Sequence, residues 1–145
     1  MSLSTMQLTT LINLALAVTA ATALPSAPTA QGEEARSIEK RGCYTSGASW
    51  GSGKDLALQY ASAVCNSALG QRVYLSSAPI QAACHNIESN KKANFQISKI
   101  SSGDKYLDYA GCYDGLQKEI NGCGQGGDSS YTDFRFISDP NDGQC

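Results

Sequence analysis

The sequence predicts a small α+β domain: a disulfide-rich split βαβ sandwich in which an antiparallel sheet carries two helices on one face. Three observations lead to it. Leu56, Tyr60, Val64 and Ala68, joined by Ala57, Ala61 and Cys65, form an apolar stripe of helical period, and Cys112, Leu116 and Ile120 recur every fourth residue. Phe95 and Ile97, and again Phe134 and Phe136, alternate with other residues at the period of a strand. Six cysteines, Cys43, Cys65, Cys84, Cys112, Cys123 and Cys145, all fall after residue 42, and an even number in so short a domain reads as three disulfides.

Taken in order, Met1 to about Ala23 has the character of a secretory signal. Leu11 to Ala20 is mostly apolar but too short to span a bilayer, and Ala21-Thr22-Ala23 offers the small residues of a cleavage site. Residues 24–41 are rich in Pro, Ala, Ser and charge, too poor in large apolar groups to offset the entropy of ordering, and read as a disordered pro-segment. It ends at Lys40-Arg41, which resembles the dibasic site of fungal processing proteases; the plainer reading is two solvated charges. The folded domain is expected over residues 42–145, extracellular and without a membrane span.

Within it, Cys43-Tyr44-Thr45 favours an extended backbone, and Ser46 to Gly53 is a Gly/Ser loop around Trp50. Ser52 and Asp55 approximate a capping box for a first helix over about Gly53 to Leu69, with Gly70 as its left-handed cap. One strand is expected between Gln71 and Ile87, and a second over Ala93 to Ile100 with Phe95 and Ile97 inward. Asp108 is the N-cap of a second helix reaching about Asn121, followed by a glycine-rich bend and a last strand over Tyr131 to Ile137. Six cysteines allow fifteen pairings. An intact second helix excludes Cys112 with Cys123, since eleven residues of helix span about 16 Å against a Cα limit of about 7 Å.

The net charge is −2, and no concentrated basic face marks a nucleic-acid partner. A zinc site would use Cys-x-x-Cys spacing or several histidines; the chain has neither, and no metal or other cofactor is expected. His85 is the only histidine, so the paired chemistry of a triad or a guanyl-type ribonuclease lacks its parts. The aspartates could in principle pair to cleave a glycoside, but most occupy turn or helix-start positions where Asp is expected for structural reasons.

Aromatic residues stand out instead, with seven tyrosines and one tryptophan. A sugar ring presents an apolar C–H face and in-plane hydroxyls, so it fits an aromatic flanked by Asp, Asn, Ser or Arg. Two stretches offer that combination: Tyr44, Ser46, Ser49 and Trp50, and Asp128, Ser129, Ser130, Tyr131 and Arg135. The plainer reading of each aromatic is burial against the sheet, and Tyr60, Tyr109 and Tyr113 stand at helical core spacing.

The pattern Cys43-Tyr44-Thr45-Ser46-Gly47 with Trp50-Gly51, then Cys65 and Cys84, then Cys112-x-x-x-Leu116-x-x-Glu119-Ile120-x-x-Cys123-x-x-Gly126-Gly127, ending in Asp139-Pro140-Asn141-x-Gly143-x-Cys145, resembles the secreted fungal glycan-binding domain family typified by the mushroom lectin Y-three. The resemblance spans Gly42 to Cys145 and is most specific in the C-terminal block. It implies lectin-like binding of oligosaccharides or glycoprotein glycans without catalysis, with a homodimer left open. On chemical grounds Tyr44, Trp50, Asp128, Tyr131 and Arg135 are the expected glycan contacts, with Trp50 as the stacking platform. The alternative is a killer-toxin-like or host-directed effector acting on a protein or channel, since fold alone does not separate the two.

If processing follows the dibasic pair, N-terminal sequencing of the natural secreted product will read Gly42 first; a start at Leu24 would show that the pro-segment is retained.

Overall fold

The computed structural model describes residues 38–145, so the expected signal segment and the expected pro-segment up to residue 37 lie outside the described residues. The elements are β1 (Ile38–Cys43), a single 3-10 turn (Gly51–Gly53), α1 (Lys54–Cys65), β2 (Arg72–Tyr74), β3 (Gln81–Glu88), β4 (Lys91–Lys99), β5 (Lys105–Leu107), α2 (Tyr109–Gly122), β6 (Gly127–Tyr131) and β7 (Phe134–Asp142). Five strands form one antiparallel sheet in the order β1-β6-β7-β4-β3, and β2 pairs with β5 in a separate two-stranded sheet.

Strand alternation sorts the side chains of the large sheet into two populations. Phe134, Phe136, Ser138 and Pro140 of β7 and Ala93, Phe95 and Ile97 of β4 are buried, while Arg135, Ile137, Asp139 and Asn141 and their β4 counterparts Asn94, Gln96 and Ser98 are only half-buried. Both helices cover the first face. From α1, Tyr60 stacks on His85 of β3 with ring centroids 4.3 Å apart, and Ala57, Ala61 and Val64 enter the core. From α2, Leu116 and Ile120 are buried, and Gly115 lies so close to Phe136 that a Cβ there would sit 2.5 Å from the ring. Glycine costs a helix about 1 kcal/mol in propensity, which this close packing offsets.

Polar groups reinforce the same contact. Ser138 Oγ on β7 donates to the Leu116 carbonyl at 2.9 Å, and Ser129 Oγ on β6 donates to the carboxylate of Glu119, which is fully buried. Gly127 leaves room for that carboxylate, since a Cβ would fall 2.3 Å from Glu119 Oε2. Buried polar groups must find partners, so these two serines fix where α2 sits on the sheet.

All six cysteines pair: Cys43–Cys123, Cys65–Cys112 and Cys84–Cys145. The excluded Cys112–Cys123 bond is absent, and α2 is intact between them. The bridges tie β1 to the end of α2, the end of α1 to the first turn of α2, and β3 to the C-terminus. They close sequence separations of 80, 47 and 61 residues, for which the chain-entropy account gives about 4 kcal/mol each.

The α+β class, the two helices and the inward Phe95 and Ile97 agree with the sequence reading, as does the Asp108 cap, whose Oδ1 accepts from the Gly111 amide at 2.7 Å. Several expectations are corrected. Helix α1 stops at Cys65, and Ser67 instead of a glycine closes it, donating to the Val64 carbonyl. Gly70 serves close approach: a Cβ would meet Cys65 Cα at 2.4 Å and Cys112 Sγ at 2.8 Å. Ser52 does not cap α1 but donates to Glu88 Oε1 at 2.8 Å.

Two strands, not one, lie between Gln71 and Ile87, and the glycine-rich bend after α2 contains β6. The last strand does not end at Ile137 but runs on through Asp139-Pro140-Asn141; β6 pairing ends at Gly127↔Ser138, so Pro140 lies past the end of that neighbour, where a missing amide is tolerated. Extended backbone also begins before the dibasic pair, with Lys40 opposite Ser130 and Arg41 opposite Ser129. A structureless linker up to Arg41 is therefore corrected from Ile38 onward; pairing with β6 supplies order that the segment's composition does not reveal.

Candidate functional site on the open sheet face

With both helices on one side, the other face of the sheet carries no described helix; its side chains are set by strand parity, and the C-terminal residues reach its β3 edge through the Cys84–Cys145 bond and the Cys145 amide, which donates to Asn86 Oδ1 at 2.8 Å. Along β7 these are Arg135, Ile137, Asp139 and Asn141. The register places Asp128 across from Ile137 and Ser130 across from Arg135 on β6, and Asn94 across from Asp139 and Gln96 across from Ile137 on β4. Beyond β4, the small residues Ala82 and Cys84 of β3 leave a shallow depression beside Asn94 and Gln96.

The strongest polar feature is a two-pronged pair. Arg135 Nε donates to Asp128 Oδ1 at 2.8 Å, and the guanidinium also donates to Asp128 Oδ2. The fork fixes the guanidinium plane, while the Arg135 side chain remains 43% exposed and Asp128 27%. The hydrogen bond that Arg135 donates to Asp128, opposed by partial desolvation, pushes the guanidinium pKa further up, so Arg135 stays cationic at every physiological pH. Nearby, Asn141 Nδ2 donates to Asp139 Oδ2 at 2.8 Å, which orients both side chains.

Tyr44 completes the edge of this face. Its amide donates to the Gly126 carbonyl at 2.9 Å, which continues the β1–β6 pairing past Cys43. Gly126 has φ +77°, and a Cβ would meet the Ser138 carbonyl at 2.4 Å, so only glycine lets the chain turn there. The Tyr44 phenol is raised above its usual pKa, first by partial burial and then by the charges of Asp128 and Asp139, against the lowering influence of Arg135. The phenol thus lies in the field of the same three groups.

Of the expected contacts, Tyr44, Asp128 and Arg135 come together. Trp50 does not, and its role as a stacking platform is corrected. It is 2% exposed, lies in the core cluster, and its Nε1 donates to the Cys123 carbonyl at 2.9 Å. The loop around it is flexible in composition but tied down at long range: the Trp50 amide donates to the Gly124 carbonyl and Gln125 Nε2 to the Gly47 carbonyl. Tyr131 is 6% exposed and faces the helix side, within 5.8 Å of the Phe136 ring. The outward residues Asn94, Gln96, Ile137, Asp139 and Asn141 were missed, although the alternation that turned Phe95 and Ile97 inward already pointed to the first two.

His85 is held against Tyr60 on the covered side, away from this face. Among the described residues, no group of three or more His, Cys, Asp or Glu side chains is placed to hold a metal ion, and no helix is long and apolar enough to cross a membrane.

The fold is thus a disulfide-linked α+β domain whose polar sheet face is bordered by a tyrosine. Residues 58–145 match the family model described as Glycan binding domain Y3. That is more than half of the chain, and the protein belongs to this family. No curated protein matches the sequence.

Truncating a buried tryptophan removes packing and leaves a carbonyl without its donor, so Trp50→Ala is expected to cost about 3–5 kcal/mol. Denaturant unfolding measures this; a loss under about 1 kcal/mol would show that the indole is not a core residue.

Proposed function

We propose that the open sheet face binds oligosaccharide without altering it, and that Tyr44, Asp128 and Arg135 form its centre. The observation that carries this reading is the forked Asp128–Arg135 pair beside a half-buried tyrosine, on a face whose other members are amides, serines, the Asp139 carboxylate, Ile137 and the small residues of β3. Sugar hydroxyls sit in the plane of the ring and need donors and acceptors held in place; its C–H faces need apolar contact. Arg135 supplies fixed donors, Asp139 an acceptor, Asn94, Gln96 and Asn141 both, and Ile137 and Tyr44 the apolar surface. Because Asp128 already orients Arg135, binding need not spend free energy on ordering that side chain.

Membership of a glycan-binding domain family supports a carbohydrate-binding role. The shape of the site favours a chain over a single ring, since the outward residues run across four strands with no enclosing wall. Asp128 is engaged by Arg135 and Asp139 by Asn141, which suits holding a sugar more than cleaving one. Three disulfides are consistent with an extracellular protein. Secretion through the segment 1–23 and cleavage after Arg41 fit that location, and the cleavage would require the edge strand β1 to peel from β6.

A glycan array probed with the natural secreted product identifies the ligand class. Arg135→Ala should weaken binding to the best glycan by about tenfold or more, as loss of hydrogen bonds to a charged group costs about 1.5–3 kcal/mol, and Tyr44→Ala should weaken it as well. Both residues are partly exposed, so the thermal midpoint should move little. Unchanged affinity in both variants contradicts the assignment, and release of cleaved product at an enzymatic rate would place the protein among hydrolases.

A further inference from the structure

On the helix-bearing side, a pocket of about 290 Å³ opens between the first turns of α2, strand β5 and the β6–β7 turn. Phe134, Phe136 and Tyr131 contribute to its wall from the covered face of the sheet, so the sheet itself separates it from the open face. Gly111 and Gly115, one helical turn apart, present bare backbone to it. Tyr106 stands at its rim with 63% of its surface exposed. The volume is close to the lower bound of about 300 Å³ at which small-molecule pockets begin, which suits one ring and not a chain.

The polar lining consists of three carboxylates, nearly charge-balanced, together with the hydroxyl-bearing side chains of Tyr106, Tyr131 and Thr132. Asp133 pairs with Lys105 at 3.2 Å, Asp114 pairs with Lys118 at 2.6 Å, and Asp108 caps the positive end of α2 through the Gly111 amide. Each carboxylate has its charge offset by a cation or a helix end, while each retains lone pairs, since two oxygens offer about four acceptor positions. Tyr131 adds an aromatic wall, and its buried hydroxyl lies beside Ser129, whose own hydroxyl is committed to Glu119.

A ligand matched to these walls donates many hydrogen bonds, carries no net charge and has an apolar face for Tyr106. We propose that this pocket is a second carbohydrate site, which takes one uncharged pyranose at the end of a glycan. The ligand class rests on the carbohydrate-binding reading above, but the site does not depend on the open face. An anionic sugar would meet three carboxylates, and a cationic one the lysines and the helix end.

The test is a titration of the isotopically labelled protein, followed by amide NMR. The probes are methyl β-galactoside, methyl α-mannoside, N-acetylglucosamine and N-acetylgalactosamine, with N-acetylneuraminic acid as the anionic probe. At least one neutral sugar should shift the amides of Gly111, Gly115 and Thr132, and the anionic sugar should not. Tyr106→Ala, at an exposed position, should weaken that response at least tenfold, and Asp133→Asn should weaken it at least threefold should the first variant not fold. The proposal is overturned if no neutral sugar moves these amides, if N-acetylneuraminic acid moves them equally, or if the folded variants bind like the wild type. Shifts confined to Asn94, Gln96 and Ile137 would overturn the pocket and leave the open-face reading standing; shifts confined to the pocket would do the reverse.

Discussion

The contact of α2 with β7 at Gly115 and Phe136 is the constraint on which the rest of the molecule depends. A side chain on residue 115 would occupy the space of the Phe136 ring, so helix and sheet meet at backbone distance. That approach brings the Leu116 carbonyl to Ser138 and the Glu119 carboxylate to Ser129. It also leaves the start of α2 close enough to α1 for Cys65 and Cys112 to bond, with their Cα atoms 5.6 Å apart. Interiors packed this closely tolerate little change in volume, and the position of one helix therefore propagates to both faces of the sheet.

The consequence for the outer face follows from strand geometry. Once Phe134, Phe136 and Ser138 are committed to α2, Arg135, Ile137 and Asp139 must point the other way. A side chain on a strand held in mid-sheet has less freedom than one on a loop, and Arg135 is restricted further by Asp128. The face is thus rigid because its opposite face is a core. The same economy explains Trp50, whose indole anchors the loop before α1 to the end of α2 beside the Cys43–Cys123 bond, and in doing so carries Tyr44 to the rim of the sheet.

How far the sequence alone reveals this depends on the kind of signal. The helices were legible because their apolar periods are long, and Asp108 was legible as a cap because its chemistry is local. Strand β6 was not, since Gly127, Asp128, Ser129 and Ser130 have poor strand propensity; each is there for what lies beneath or beside it, Gly127 for Glu119 and Ser129 for the same carboxylate. Strands β2 and β5 are three residues long and leave almost no period to read. Three of the five expected contacts meet on the open face because Tyr44, Asp128 and Arg135 were chosen for chemistry that needs exposure. Trp50 was misplaced because a Gly/Ser loop suggests solvent, whereas the bonds that bury the indole come from residues more than seventy positions away.

The central claim, that the helix-free face of the sheet is where glycan binds, is tested most directly by a crystal structure of the wild-type protein with its best-bound oligosaccharide. The account predicts sugar density across Ile137 and against Tyr44, with hydroxyls within hydrogen-bond distance of Arg135 and of the Asn94 or Asn141 amides. An oligosaccharide bound elsewhere, with the open face bare, would contradict it.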